Sequence, residues 1–383
     1  MNYNHPMKNN STVTIRVMCA IVFVCFSLLW LYCFQSDLLA MAQHQLSHGL
    51  TQYNRLISPL LITALLYIVH LGVFGVVRLT RSFHSLTYLP SMLILALLTD
   101  IYVVPGTTGL AHYGWWMVVL VFIVWLGCVF VARKYQEIEN NGDYGFFSRP
   151  VWINMLIMSL QIMFVAWIGN TNAVFQYRMH AERLLLEGKY EKAAGVGKKS
   201  LESDESLLAI RMYALARCGS LGDRLFEFPI TGTSDKMLPT NDSTLFLLYP
   251  NDSLFRYFGA RPAEEMTPVR YLRMMERRDS VPRKAVGDYL LCGFLIDKQL
   301  DKFAAEISRY YTIDDKLPKH YREALTLYCH MRSRPLLSYN VPVVEEDFRN
   351  LQELERQYPD LQESKVKVSE QYRGTYWYYY RYE

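Results

Sequence analysis

The sequence predicts a mainly α-helical protein in two parts. An N-terminal bundle of five transmembrane helices occupies residues 1–169, and an α-helical, tetratricopeptide-like solenoid occupies 170–383. Three observations predict this. Residues 1–169 hold 8 Lys plus Arg and 5 Asp plus Glu, whereas 170–383 hold 32 and 31. A half so poor in charge, divided into long apolar runs, suits lipid rather than a water-soluble core. The run VWINMLIMSLQIMFVAWI, Val151 to Ile168, is uncharged and close to the about 20 apolar residues that cross a bilayer. Just beyond it, Gly188, Tyr190, Ala193, Ser200 and Leu201 stand at the offsets of a tetratricopeptide repeat's glycine, bulky and small packing residues.

The spans follow in order as Val17–Phe34, Ile57–Val77, Leu86–Val104, Trp115–Ala132 and Val151–Ile168. The first could be a signal peptide, because Ala40 and Ala42 make an A-x-A site. Its apolar run is longer than a usual signal core and further spans follow, so a retained helix is expected. Pro59 and Pro90 fall in first helical turns, where a missing N–H costs least. Basic residues set the orientation. Lys8, Arg16, Arg78, Arg81, Arg133, Lys134 and Arg149 lie on one side of the membrane and only Arg55 on the other. Seven against one places the N-terminus in the cytoplasm and, after five crossings, the C-terminal part outside it, which for a Gram-negative cell means the periplasm. Trp30, Tyr32, Trp115, Trp116 and Trp167 then gather near the outer interface.

Ionisable groups inside lipid are expensive and often functional. His70 lies deep in the second span and Asp100 near the end of the third, at different depths, so they are not expected to pair. A neutral His70 bonded to a neighbouring helix is the simpler reading. In the first outer loop, His44 and His48 stand at i and i+4, a spacing that can chelate a metal from one helix face. Asp100 and His112 are expected at a similar depth, which makes these four the candidate metal or proton site. No third ligand has a motif-grade spacing, and an amphipathic helix lying along the interface explains the same pattern. No cofactor is implied.

In the C-terminal part, Ala181, Gly188, Ala193 and Ser200 let two helices approach, and Tyr177, Leu184 and Tyr190 supply bulk. With Arg211 and Tyr213 from the next helix, Tyr177, Leu184 and Tyr190 form the predicted interaction groove. Further helices are expected at Ser206–Phe228, Tyr289–Tyr311, Lys319–Arg332 and Val344–Gln357, with Ile230–Pro250 as an irregular loop. Arg270, Arg273 and Arg277 share one side of Val269–Arg278, either facing lipid phosphates or balanced by neighbouring carboxylates. The terminal YRGTYWYYYRYE could be a binding platform, an interfacial foot or a cap on the solenoid. Cys218, Cys292 and Cys329 have no metal-ligand spacing and are read as buried free thiols.

Several motifs fall short. GVGKKS, Gly195–Ser200, looks like the tail of a phosphate loop. The full pattern would need Gly at Lys192 and Ser or Thr at Lys199, so a place in the second repeat helix is expected instead. CGSLGD is not a nucleophile elbow, and H-E-x-x-H does not occur. The nearly balanced charge of the second part argues against nucleic acid.

The segments RMYALARCGSLGDRLFEFP (211–229), LPKHYREAL (317–325) and GTYWYYYRY (374–382) resemble uncharacterised multi-pass inner-membrane proteins of Bacteroidota with a tetratricopeptide-like C-terminal region. That resemblance implies no activity and no catalytic residues. It implies O-glycan acceptance at DSX triplets, here Asp242-Ser243-Thr244, Asp252-Ser253-Leu254 and Asp279-Ser280-Val281. The functional expectation is a non-enzymatic membrane protein whose periplasmic repeat domain binds a protein partner. The alternative is a membrane enzyme or carrier acting on lipid or glycan. Only Gly169–Thr171 separate the last span from the first repeat helix, too few for a free tether.

Overall fold

The computed structural model of the chain describes residues 10–104, 109–138, 148–240, 244–278 and 284–383. Lys8, Asp242, Ser243 and the triplet Asp279-Ser280-Val281 lie outside the described residues. Within them are 18 α-helices and one two-stranded hairpin. The chain divides into two compact units, Met1–Asn172 and Ala173–Glu383.

In the first unit, α1 (Asn10–Leu29) runs on through a π-helical turn at Trp30–Phe34, and α2 (Ser36–Leu46) follows. Next come α3 (Ile57–Val77), a 3₁₀ segment Arg81–Tyr88 continuous with α4 (Leu89–Thr99), and β1 (Tyr102–Val103) paired antiparallel with β2 (Leu110–Ala111). The unit closes with α5 (Trp115–Ile138) and α6 (Arg149–Ile168). Five helical stretches are long and apolar enough to cross a membrane: Val13–Phe34, Ile57–Val77, Arg81–Thr99, Trp115–Gln136 and Arg149–Ile168.

The third stretch starts and ends about five residues earlier than hydropathy predicts. Its first turns carry Arg81, Ser82, His84, Ser85 and Thr87, which apolar scoring rejects. This is the central helix of the unit, 67% buried against 17–33% for the other four, so those side chains meet protein rather than lipid. A 3₁₀ segment at membrane depth leaves backbone groups that protein must satisfy. Asn154 and Gln161 of α6 do so. Ser85 N–H donates to Asn154 Oδ1 (2.8 Å), Asn154 Nδ2 to Arg81 O (2.6 Å) and Gln161 Nε2 to Ser85 O (3.0 Å).

One end of the bundle is tied by four further bonds. Trp30 Nε1 donates to Thr99 Oγ1 (3.4 Å), Asn170 N–H to Thr99 O (2.8 Å), Asn170 Nδ2 to Ile101 O (2.8 Å) and Gln35 Nε2 to Asn170 O (3.2 Å). Gly169 is required there, because a Cβ would lie 2.8 Å from Thr99 Oγ1 and 2.9 Å from the Trp30 ring. Gly169 and Asn170, read from sequence as linker, therefore belong to the packed end of the first unit.

The second unit runs α7 (Ala173–Leu186), α8 (Tyr190–Gly195), α9 (Glu205–Arg217), α10 (Leu221–Arg224), α11 (Asn251–Phe258), α12 (Pro268–Arg278), α13 (Lys284–Ile296), α14 (Leu300–Glu306), α15 (Lys319–Met331), α16 (Pro342–Gln357), α17 (Leu361–Tyr372) and α18 (Tyr376–Tyr382). One device recurs three times: a long helix, a three-residue turn and a short helix, in α7–α8, α9–α10 and α13–α14. Each turn is a Schellman cap. Lys189 N–H bonds Leu184 O (2.9 Å), Ser220 N–H bonds Leu215 O (3.0 Å) and Gln299 N–H bonds Phe294 O (2.8 Å). The residue before each donor is left-handed: Gly188 at φ +70, Gly219 at φ +69 and Lys298 at φ +56. Helices α9 and α13 are buried along nearly their whole length, as helices apolar on every side must be.

Helix α8 stops at Gly195, so Gly197–Ser200 form a turn rather than the helix expected for GVGKKS. Residues 230–240 and 244–250 are irregular but not loosely so, since Met237, Leu238, Phe246, Leu247, Leu248 and Tyr249 are core residues. Helix α17 was not predicted. The terminal aromatics form α18 with Tyr376, Trp377, Tyr378 and Tyr379 buried, a packing role rather than an open platform. Among the cysteines, Cys292 is buried, Cys329 half-buried and Cys218 exposed, all three as free thiols.

Candidate functional site

The five residues expected to line an interaction groove are inner packing of the first two hairpins. Leu184, Arg211 and Tyr213 are buried, while Tyr177 and Tyr190 are half-buried. Helix α9 is covered all round, so a stripe that would face a groove in an open array has no free side here. Tyr213 Oη meets Tyr249 Oη at 3.0 Å and accepts from Arg217 Nη1 (2.8 Å), and the Arg217 guanidinium lies 4.2 Å from the Tyr190 ring centroid. Burial pushes the Tyr213 phenol well above its ordinary value.

Two buried charges in this region bind irregular backbone. Glu182 Oε2 accepts from Leu247 N–H (2.7 Å), Leu248 N–H (2.6 Å) and Tyr249 N–H (3.0 Å). Burial raises its pKa, and those three donors oppose the rise. Arg211 donates to Val196 O (3.0 Å) and Ser203 Oγ (3.2 Å), and its guanidinium lies 5.0 Å from the Phe228 ring. Asp204, the carboxylate whose charge acts on it, is itself paired with Arg178 at 3.2 Å. Burial lowers the Arg211 pKa to about 10. Arg211 thus pins both ends of the Val196–Ser203 loop. Gly197, at φ +67, fits between Arg211 and Tyr177, where a Cβ would lie 3.0 Å from each.

Beside that loop opens a cavity of about 460 Å³. One wall is Lys198–Leu201, a second Phe226–Pro229, and a third Lys319, Arg373, Gly374, Tyr378, Tyr379 and Glu383. Lys198 pairs with Glu227 (2.9 Å) and Lys319 donates to Gly374 O (3.1 Å). A buried relay holds the third wall in place. Phe226 N–H donates to His320 Nε2 (3.3 Å), His320 Nδ1 meets Glu323 Oε2 at 2.9 Å, and that same oxygen accepts from Tyr376 N–H (2.7 Å). Because His320 Nε2 accepts, Nδ1 carries the proton toward Glu323. No spacing in the sequence joins residue 198 to residue 373; only the outlying GVGKKS fragment pointed here.

The loop histidines are arranged differently from expectation. Helix α2 ends at Leu46, and His48 sits in the following turn at φ +51, so it shares no helix face with His44. Asp100 is buried and accepts Gly114 N–H (2.6 Å), bracing the start of α5, while His112 is exposed. Among the described residues, no group of three or more His, Cys, Asp or Glu side chains is gathered to hold a metal.

The first unit does hold a polar cluster that the sequence reading dispersed. The His70 and Tyr88 rings stack at 3.6 Å, the His84 ring lies 5.8 Å from each, and Thr87 Oγ1 meets His70 Nδ1 at 3.3 Å. Ser91 Oγ donates to Leu66 O (2.8 Å) beside it. The signal was present in R-S-F-H-S-L-T-Y, whose polar residues fall on successive turns of the central helix.

Arg273 of α12 joins Glu276 (2.9 Å) and Glu306, and Tyr310 also donates to Glu276. This arginine is therefore neutralised within the second unit.

Comparison with known proteins adds one match. Residues 272–383 match a family described as a family of unknown function (DUF6057). The matched stretch includes Lys319, Arg373 and the terminal aromatics of the cavity, but not Lys198 or Arg211. No curated protein and no solved structure matches the chain.

Proposed function

We propose that this chain is an inner-membrane protein of the Bacteroidota type it resembles, with a cytoplasmic N-terminus and five helices anchoring a periplasmic, tetratricopeptide-like domain that binds another protein. The observation that carries the reading is the thrice-repeated hairpin. Gly188 and Gly219 stand 31 positions apart (219 − 188), near the about 34-residue tetratricopeptide period. The next equivalent residue, Lys298, follows after an insertion that includes α11 and α12. The excess of basic residues on one side of the spans supports the orientation. The domain is read as non-enzymatic because Glu182, Arg211 and Glu323, three of its buried charged groups, bond backbone atoms.

Two measurements test this in the native cell. Protease added to spheroplasts should digest the second unit; a fully protected second unit overturns the orientation. Photo-crosslinkers at the exposed positions Glu191, Lys192 and Leu201 should recover one discrete protein adduct. Recovery of lipid only overturns the binding role.

One observation favours a second reading, a membrane enzyme or carrier for lipid or glycan: the His70–His84 pair enclosed among the spans. His70→Ala combined with His84→Ala should abolish complementation of a deletion strain under that reading. Full complementation at normal protein level removes it.

A further inference from the structure

We infer that the cavity between the Lys198–Leu201 turn and the Arg373–Gly374 turn binds an organic phosphate, with Lys198, Lys199, Lys319 and Arg373 addressing its anionic group. The charge balance is the first argument. Four cationic side chains line the cavity against two carboxylates, Glu227 and Glu383. Glu227 is already neutralised by Lys198 at 2.9 Å and approached by Arg224 Nε at 3.6 Å. Lys199 and Arg373 are exposed and stand on opposite walls of the cavity.

The second argument lies behind the wall. Arg211 is a fully buried guanidinium that bonds only neutral oxygens, Val196 O and Ser203 Oγ, and leaves Nε without a partner. A buried cation with no direct carboxylate is costly. Its field adds to that of the lysines on the loop it pins, and an anion in the cavity relieves both. The third argument is shape. The cavity is several times larger than a bare phosphate, which is roughly water-cluster sized on the about 30 Å³ per water scale. Phe226, Phe228, Tyr378 and Tyr379 line the remaining space, so the ligand carries an organic part against them.

Lys198 is paired with Glu227 and Lys319 lies 3.8 Å from Glu323, so Lys199 and Arg373 are the two cations left to meet the about −1.5 to −2 charges of a phosphomonoester, whereas a monocarboxylate leaves one unmatched. Lysine and arginine donors suit its oxygens. The phosphate can belong to a free metabolite or to a lipid headgroup, and the test separates these.

The experiment uses the full chain in detergent micelles. It is titrated calorimetrically with sn-glycerol 3-phosphate and, in parallel, acetate. The chain in nanodiscs is separately scored for flotation with vesicles of phosphatidylcholine alone or with phosphatidic acid added. Saturable binding of glycerol 3-phosphate but not acetate supports a free organic phosphate. Binding confined to phosphatidic acid vesicles supports a headgroup. In either case Lys199→Ala with Arg373→Ala, at exposed positions that leave the circular dichroism spectrum unchanged, should weaken binding by about tenfold or more. Gly188→Ala, outside the cavity lining, should leave affinity unchanged. Absence of saturable binding in both arms, equal binding of acetate, or unchanged affinity in the double variant overturns the proposal.

Discussion

Along α3, Leu60, Leu61, Leu65 and Ile68 are 58–62% exposed, while Thr63 and His70 of the same helix are buried. Along α9 the order is reversed, with eleven consecutive residues from Ser206 to Ala216 buried. In lipid the outside is as apolar as the inside, so helix partners are distinguished by polar contacts and close approach. In water the apolar core does that work. Yet three buried polar side chains, one in the first unit and two in the second, share one task, which is to bind backbone that is not α-helical. Asn154 serves the 3₁₀ segment Arg81–Tyr88, Glu182 serves Leu247–Tyr249, and Arg211 serves Val196–Ser203.

If that is correct, the largest single effect should come where one side chain serves most backbone groups without water nearby. Glu182→Ala orphans three buried N–H donors and should destabilise the second unit by about 3–5 kcal/mol. Thermal unfolding of the purified chain followed by near-ultraviolet circular dichroism reads this directly. A melting temperature equal to wild type would remove Glu182 from the comparison.

Two changes probe the first unit. Gly169→Ala places a Cβ against Thr99, Trp30 and Val165 O and should cost about 1–3 kcal/mol through overpacking. Asn154→Ala removes the contacts to Ser85 N–H and Arg81 O and should cost less, about 1–2 kcal/mol. In a membrane the separated helices also find polar partners, which lowers the net worth of each bond. Steric trapping or denaturant unfolding in mixed micelles ranks the two. Asn154→Ala exceeding Glu182→Ala would reverse the comparison between units.

The three Schellman turns offer a purely conformational test. Nothing lies within 4 Å of a Cβ built on Gly188 or Gly219, so alanine there pays only for its left-handed backbone. Each substitution should cost about 1 kcal/mol. A much larger loss at either glycine would show that the hairpins are not equivalent.

The spans and the helical nature of the second part were legible because hydropathy and helical period are local properties. Leu86–Val104 was misplaced because burial in the bundle, which local hydropathy cannot register, makes room for Ser82, His84 and Ser85. His44 and His48 were paired on a helix that ends two residues too soon for His48. Tyr177, Leu184, Tyr190, Arg211 and Tyr213 are legible in the sequence as packing residues, but their burial is not, because whether α9 is covered depends on α11 and α13, far along the chain. The cavity was least legible. Its walls come from three distant segments, and its clearest trace, GVGKKS, lacks the Gly at 192 and the Ser or Thr at 199 that would complete a phosphate-loop pattern.

The smallest effect expected is a change of slope with pH at Asp288. Its Oδ1 accepts from Tyr311 Oη (2.5 Å) and Tyr321 Oη (3.1 Å), beside Cys292 Sγ at 3.5 Å from Tyr321 Oη. Burial raises its pKa and the two tyrosine bonds oppose the rise without cancelling it. The folded chain therefore holds this proton more tightly than the unfolded chain does. The associated stability is fully present below the ordinary aspartate value of about 4 and is lost as pH rises through the raised folded value. Asp288→Asn keeps an acceptor for both tyrosines and removes the titration. The melting temperature of the variant relative to wild type should thus climb as pH increases from about 4 toward 8. A difference that stays flat across that range would mean that Asp288 ionises in the folded chain as freely as in the unfolded one. Its tyrosine pair would then be balancing the cost of burial completely, as three backbone donors do not at Glu182.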